Sequence, residues 1–81
     1  MASRREVRIP IGKRSYHMQT ELDDEMFNRV VGIVNEVSGS IVGNLDQDSL
    51  LILTCLQLAY NLEKIAELLE TFDRKLSELR L

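Results

Sequence analysis

The chain contains few of the residues from which active sites and metal centres are built. Its 81 residues include one cysteine, one histidine, one proline and no tryptophan. One histidine and one cysteine cannot form a usual zinc site. His17 and Cys55 are also predicted to lie in different elements, which argues against a nucleophilic pair. None of the four glycines fits a phosphate-binding loop motif. The sequence therefore predicts a protein that is not an enzyme, with no catalytic residues, metal site, cofactor or small-molecule substrate.

Long apolar runs and an export signal are also missing. The longest near-continuous apolar run, residues 50–60, is too short to cross a bilayer as a helix. The arginine pair at residues 4–5 is not followed by an apolar stretch, because residues 12–14 interrupt it. A single cysteine, Cys55, allows no internal disulfide, which is typical of a reducing compartment. We expect a cytoplasmic protein that does not bind membranes.

The size and the charge distribution favour an oligomer with a basic N-terminal region. A domain of 81 residues buries only about 60% of its unfolded surface, so a monomer would be marginally stable. Apolar residues make up 44% of the chain, which is enough for a core and for a partner surface. The net charge is −3, but residues 1–20 carry +4 and residues 21–81 carry −7. Such a basic region can attract an anionic partner.

Alternating apolar residues predict a β-hairpin over residues 6–19. The aliphatic residues of the first strand alternate with other types, as in a half-buried strand, and they are Val7, Ile9 and Ile11. Residues 12–14 supply a turn before a second alternating segment. Pro10 cannot donate to a ladder, so we expect it at a sheet edge. An isolated hairpin is scarcely stable in water, so another element must cover its apolar face.

A helix over residues 22–40 is the predicted cover. Residues 20–23 resemble a capping box, in which Thr20 bonds an otherwise unpaired helix N–H. Apolar residues then recur at three- and four-residue steps, as on one face of a helix; they are Met26, Val30, Ile33, Val34, Val37 and Ile41. The β-branched residues and Gly32 disfavour a helix, but the pattern is too long for a strand.

A second helix is predicted from residue 47 to the C-terminus, with Asp46 as its cap. Along it, apolar residues follow alternating four- and three-residue steps, and this 3.5-residue repeat specifies a left-handed coiled coil. The residues of this seam are Leu51, Cys55, Leu58, Leu62, Ile65, Leu69, Phe72, Leu76 and Leu79. We expect the seam to form an oligomer interface. The pattern leaves open whether the assembly is a dimer or a tetramer, and whether its helices are parallel or antiparallel.

Together these elements predict an α+β fold of ββαα order. Residues 1–60 form a small head, which contains the hairpin, the first helix and residues 47–60 of the long helix. Residues 61–81 continue the long helix as a coiled-coil stalk that pairs with a copy of the chain.

Two stretches of sequence, together with this order of elements, resemble those of a known family. They read Ile11-Gly12-Lys13-Arg14-Ser15-Tyr16 at the hairpin and DSLLILTCLQLAYNL at residues 48–62. With the order of parts, they resemble the ZapA family, small bacterial cell-division proteins associated with the FtsZ ring. The resemblance covers essentially the whole chain. The chain departs from the family in Lys13, which reads as an extra turn residue, and in its short stalk.

The resemblance implies an adaptor that binds FtsZ filaments and promotes their bundling and cross-linking at the Z-ring. It implies a homodimer or homotetramer located in the cytoplasm at the division site. Arg14 resembles the family's functional turn arginine, and Asp48 resembles the acidic residue that opens the long helix. Lys13 and Arg8 are assigned to the same FtsZ-binding surface from charge alone, since both add positive field toward acidic FtsZ.

Two other functions fit parts of the same pattern. One is a small dimeric nucleic-acid-binding protein that uses the basic N-terminus, whose affinity would fall steeply with salt. Against it, the rest of the chain is acidic, and Tyr16 is the one aromatic residue of the basic region, too little for a stacking platform. The other is a generic coiled-coil scaffold for an unrelated partner, to which the same seam is suited.

Overall fold

The computed structural model describes residues 4–79, which form a hairpin followed by two helices. The elements in chain order are strand β1 (Arg5–Ile11), strand β2 (Arg14–Thr20), helix α1 (Asp24–Ser40) and helix α2 (Gln47–Leu79). The predicted ββαα order is confirmed. Residues 1–3 of the predicted head and residues 80–81 of the predicted stalk lie outside the described residues. Within residues 4–79, neither helix combines the length and the apolar character that crossing a membrane requires.

The hairpin closes through a two-residue turn made of Gly12 and Lys13. β1 and β2 pair antiparallel, and the last pair before the turn is Ile11 with Arg14. Gly12 has a φ of 62°, and a positive φ at the first turn position is typical of a type II′ turn. Pro10 lies opposite Ser15, one step from the turn, where a two-residue hairpin has no ladder bond to lose. Arg14, predicted in the turn, is the first residue of β2.

The pleat gives the hairpin an inner face toward the helices and an outer face toward solvent. Along β1 the odd-numbered residues are half-buried, whereas Glu6, Arg8 and Pro10 are exposed. Residues directly opposite each other in an antiparallel pair share a face. Arg14 therefore belongs to the inner face with Ile11, and Arg8 shares the outer face with His17.

Helix α1 begins two residues later than predicted, because Asp23 rather than Thr20 caps it. Asp23 Oδ1 accepts a hydrogen bond from the Met26 N–H at 2.8 Å. Thr20 Oγ1 instead accepts a hydrogen bond from the Leu22 N–H at 3.1 Å, in the connection between β2 and α1. The predicted capping box is therefore wrong.

The packed face of α1 matches the predicted one only in part, because Val34, Val37 and Ile41 of the predicted face are half-buried. Phe27 and Val31 are half-buried and Ser38 is buried, although none of the three belongs to the predicted face. Three residues of the predicted face remain between 40% and 54% exposed, and they are Met26, Val30 and Ile33. The apolar arc of α1 is wider than the surface that β1 and α2 cover. Part of the arc therefore stays in solvent.

Helix α2 starts as predicted at Gln47, with Asp46 as its cap. Asp46 Oδ1 accepts a hydrogen bond from the Ser49 N–H at 2.8 Å. The helix has 33 residues, a length of about 50 Å, so it extends well beyond the rest of the chain. Thr54 is buried, and its hydroxyl donates to the Leu50 carbonyl oxygen at 2.7 Å. This internal bond removes the cost of burying the hydroxyl.

Arg5 anchors the open end of the hairpin to the start of α1. Its guanidinium forms an ion pair with Asp24. It also donates to the Leu22 carbonyl oxygen through Nη2 at 3.1 Å and through Nε at 3.3 Å. The Phe27 ring centroid lies 5.6 Å from the guanidinium carbon, within range of a cation–π interaction. One side chain thus joins β1 to Leu22 in the connection before α1 and to Asp24 and Phe27 of α1.

The single chain has no closed hydrophobic core. None of the apolar residues within the described range 4–79 is fully buried. The Cα radius of gyration is 17.2 Å, whereas a compact domain of this length has about 12 Å. The principal extents are 54 × 41 × 14 Å, so the molecule is a thin, flat body. The elements pack against one another along edges and leave wide apolar faces open.

Gly12→Ala is expected to lower the unfolding temperature. A Cβ at this position would lie 2.8 Å from Gln47 Oε1 and would also clash with the Leu50 side chain. The positive φ adds about 1–2 kcal/mol for a residue other than glycine. Thermal unfolding followed by circular dichroism, at one fixed protein concentration, measures the change.

Gly32→Ala is the matched control for that experiment. No atom lies within 4 Å of a Cβ placed there, and the residue is inside α1. Alanine is favoured over glycine in a helix by about 0.5–1 kcal/mol, so this variant should unfold at a higher temperature. A Gly12→Ala variant as stable as the parent chain would contradict the turn geometry.

Candidate partner-binding site

The Gln47 side chain connects the hairpin turn to the first turn of α2. Its Nε2 donates to the Ile11 carbonyl oxygen at 2.7 Å and to the Tyr16 hydroxyl oxygen at 3.0 Å. Its Oε1 accepts from the Lys13 N–H at 3.1 Å. These three bonds reach β1, the turn and β2. Arg14, which lies between the bonded residues in the chain, is thereby held against the start of α2.

The turn and the helix start enclose an open cleft of about 270 Å³. The residues that line it are Arg14, Asp46, Gln47 and Asp48. The structure therefore brings together Arg14 and Asp48, two of the residues assigned to partner binding from the sequence. Sequence reasoning missed the side chains of Asp46 and Gln47 as parts of this surface. No periodic pattern signals that the Gln47 amide reaches a hairpin 31 to 36 residues earlier in the chain.

The cleft carries charges of both signs that do not neutralise each other directly. Arg14 forms no ion pair within 4.0 Å with Asp46 or Asp48. All three side chains are exposed. Their charged groups are thus available to groups on another molecule. A partner that offers an acidic and a basic side chain close together would complement this cleft better than a uniformly acidic one.

Besides lining the cleft, Asp46 stabilises the start of α2 as its cap. Hydrogen bonds from the side chain and the backbone N–H of Ser49 hold the pKa of Asp46 below its ordinary value. A lowered pKa in the folded state means that the carboxylate stabilises the fold above its unfolded pKa. That contribution is lost as the pH falls through the lower, folded value.

Lys13 and Arg8, the other two residues assigned to the FtsZ surface, differ in their positions. Lys13 lies in the turn beside the cleft, and its backbone N–H is bonded to Gln47. Arg8 is exposed on the outer face of the hairpin and does not line the cleft. The pleat separates it from Arg14, because the two side chains occupy opposite faces of the same sheet.

The predicted seam divides into two parts along α2. Leu51 and Leu58 are half-buried on the side of α2 that faces the head, and Cys55 between them is exposed. The other seam residues are all between 49% and 76% exposed, and they are Leu62, Ile65, Leu69, Phe72, Leu76 and Leu79. The chain itself therefore covers the start of the seam and leaves the stalk part open.

A second apolar surface lies on the opposite side of α2 beside the head. This back face consists of Ile52, Leu53, Leu56 and Tyr60, which are between 39% and 60% exposed. Leu56 and Ile65 are nine residues apart, which is about 180° around a helix at about 100° per residue. The back face and the stalk seam thus point in opposite directions.

Neither metal-binding geometry nor a relative assigns a function to these surfaces. Within residues 4–79, no three histidine, cysteine or acidic side chains form a group that could hold a metal ion. Searches of protein-family models, of curated proteins and of solved structures return no match to this chain. Function is therefore inferred from the fold and from the surfaces described above.

Asp46→Asn is expected to lower the unfolding temperature at about pH 7, where the parent carboxylate is charged. Asparagine still caps a helix but lacks the charge that the Ser49 hydrogen bonds favour. The difference between variant and parent should shrink as the pH falls below the ordinary aspartate pKa and through the lower pKa of the folded state, because Asp46 then becomes neutral. Thermal unfolding across this pH range checks the trend, with Asp48→Asn as a variant of equal charge that leaves the cap intact. A difference independent of pH would count against the charged cap.

Proposed function

We propose that this protein is a non-enzymatic adaptor that binds FtsZ filaments through its heads and cross-links them as a homo-oligomer. The observation that carries the proposal is the apolar surface that a single chain leaves in solvent. The site of action is the cytoplasmic division site, in keeping with the resemblance to the ZapA family.

The amount of open surface supports an obligate assembly. A folded monomer of 9.3 kDa is expected to expose about 5,000 Å². This chain exposes 7076 Å². The excess of about 2,000 Å² per chain is larger than the roughly 800 Å² that one partner buries in an interface of standard size. There is surface enough for more than one contact with copies of the chain.

The stalk seam has the same spacing in both directions, so it permits antiparallel stalks, and the packing of Phe72 favours them. In antiparallel stalks, a twofold axis that passes between Leu69 and Phe72 places each seam residue of one stalk opposite a different seam residue of the other. The opposed pairs are Leu62 with Leu79, Ile65 with Leu76, and Leu69 with Phe72. In antiparallel stalks each pair forms one layer, so the Phe72 ring meets the smaller Leu69. In parallel stalks two Phe72 rings would share one layer.

The back face supports a second, separate interface and hence a tetramer. A stalk pair that covers Leu69 leaves Leu56 uncovered, because the back face points the other way. Contacts through the back faces would join heads, and contacts through the seams would join stalks. Two different twofold interfaces close an assembly of four chains when their axes cross at right angles, and the proposed tetramer has this symmetry. Each head would then present one cleft, so the assembly would carry several.

The filament contact is assigned to the cleft around Arg14. Arg14 and Asp48 match the positions that the resemblance assigns to FtsZ binding, and both line this cleft. The flanking carboxylates disfavour the nucleic-acid alternative, since they would repel phosphate groups near Arg14. Rigidly joined heads raise the effective concentration of the second binding event, so weak single contacts suffice for cross-linking.

Charged substitutions on the two apolar surfaces should split the assembly in different ways. Leu69→Asp places an unpaired charge in the seam, a change that costs about 3–5 kcal/mol when buried. It should leave a dimer joined through the heads. Leu56→Asp should leave a dimer joined through the stalks, and the double variant should be monomeric. Sedimentation velocity gives the masses, and circular dichroism reports whether the helices persist.

Thr71→Asp is the control for these variants, because it adds the same charge to the stalk outside the seam. Its mass should equal that of the parent chain. A parent chain that sediments as a folded monomer would overturn the proposed assembly. If Leu69→Asp alone yielded monomers, the separate head interface would be wrong.

Arg14→Ala should weaken binding to FtsZ filaments about tenfold, a usual loss for a central charged contact. The test is co-sedimentation with FtsZ polymerised by GTP, together with light scattering for bundling. Arg29→Ala removes an equal charge from α1, where Arg29 pairs with Glu25 at 2.6 Å away from the cleft. This control should bind normally. Normal bundling by Arg14→Ala would remove the cleft from the binding site.

A further inference from the structure

At its turn end, the hairpin contacts the side chain of Gln47. Neither composition nor periodicity assigns a function to this hydrogen-bonding group. We propose that Gln47 is a positioning residue, a side-chain clamp that fixes Arg14 and the start of α2 in the geometry that the partner recognises. The clamp deepens the proposed function, because it is meant to act through Arg14 on filament binding.

The chemistry of an amide suits this position better than any other side chain. The site needs two donors, for the Ile11 carbonyl and the Tyr16 hydroxyl, and one acceptor, for the Lys13 N–H. A glutamine amide has two N–H donors and one oxygen acceptor. A glutamate would lack the donors, and a lysine would lack the acceptor. A methionine of similar volume would make none of the three bonds.

The rest of the hairpin is held independently of this clamp. Arg5 ties the open end of β1 to α1 through Asp24 and Leu22. A two-stranded hairpin by itself is only marginally stable in water. Because Arg5 holds the open end, the turn end is the one that depends on the Gln47 amide. Loss of Gln47 should therefore loosen the turn end and leave the hairpin attached. The cleft would lose its shape while the fold persists.

The Lys13 N–H provides a direct readout of the clamp. In a two-residue hairpin the amide of the second turn residue points away from the strand ladder. Here the Lys13 N–H bonds to Gln47 Oε1. Its hydrogen exchange thus reports on this contact and on little else. Gln47→Met should speed Lys13 exchange at least tenfold and should shift the NMR signal of the Arg14 Nε–H group.

Gln57→Met is the matched control. Gln57 is a second glutamine on α2, and its amide donates only to Asn61 Oδ1, at 2.9 Å, away from the hairpin. The control should leave Lys13 exchange, the Arg14 signal and filament binding unchanged. Both variants should keep the parent mass in sedimentation.

A double-variant cycle in FtsZ co-sedimentation separates positioning from a direct contact. Gln47→Met alone should weaken binding to about the level of Arg14→Ala. The two changes together should be no worse than Arg14→Ala alone, because both remove the same interaction. Strictly additive losses would overturn the positioning role. Unchanged Lys13 exchange in Gln47→Met would overturn the clamp itself.

Failure of the proposed function would look different. If the parent chain did not co-sediment with FtsZ, the adaptor function would be wrong. The clamp would then be decided by the Lys13 exchange and the Arg14 signal, both measured without FtsZ. Fast exchange and a shifted signal in Gln47→Met, set against an unchanged Gln57→Met, would uphold it.

Discussion

Apolar surface that the chain cannot cover by itself is the constraint on which the other features depend. α1 packs against α2, β1 packs against α1, and the hairpin turn contacts the first turn of α2. The second half of α2 projects into solvent. With no buried apolar residue within 4–79, little of the stability of this fold comes from a core of its own. In the proposed assembly, folding and association would be coupled, and stability would then rise with protein concentration.

The two helix starts hold the hairpin from opposite ends. Arg5 bonds the open end to the start of α1, and Gln47 bonds the turn to the start of α2. Neither contact depends on a large buried area. Polar side chains with several directed bonds thus fix the orientation of the hairpin relative to the two helices. The contact of Gln47 with the turn determines the shape of the cleft at Arg14.

Much of the fold could be predicted from the sequence, and the exceptions have physical reasons. Period-2 and period-3.5 patterns located the strands and α2 because they depend only on local geometry. The face of α1 was predicted only in part, because two partners share its apolar arc and periodicity does not show which residues each partner covers. Successive side chains of a strand lie on opposite faces of the sheet. Once the turn length is known, this alternation places Arg8 and Arg14 on opposite faces. The reach of Gln47 depends on three-dimensional packing, and no local pattern encodes it.

Pro10 has a consequence for the solubility of a molecule with so much open apolar surface. A two-stranded sheet has two unpaired edges, to which strands of other chains can add. In this register the position of Pro10 directs its backbone nitrogen outward, where another residue would offer a donor. Proline has no backbone N–H, so a strand that added to this edge would lack a hydrogen bond one step from the turn. Strand addition is thus disfavoured at the β1 edge near the turn, and in the proposed assembly partner helices would cover the apolar surface of the helices.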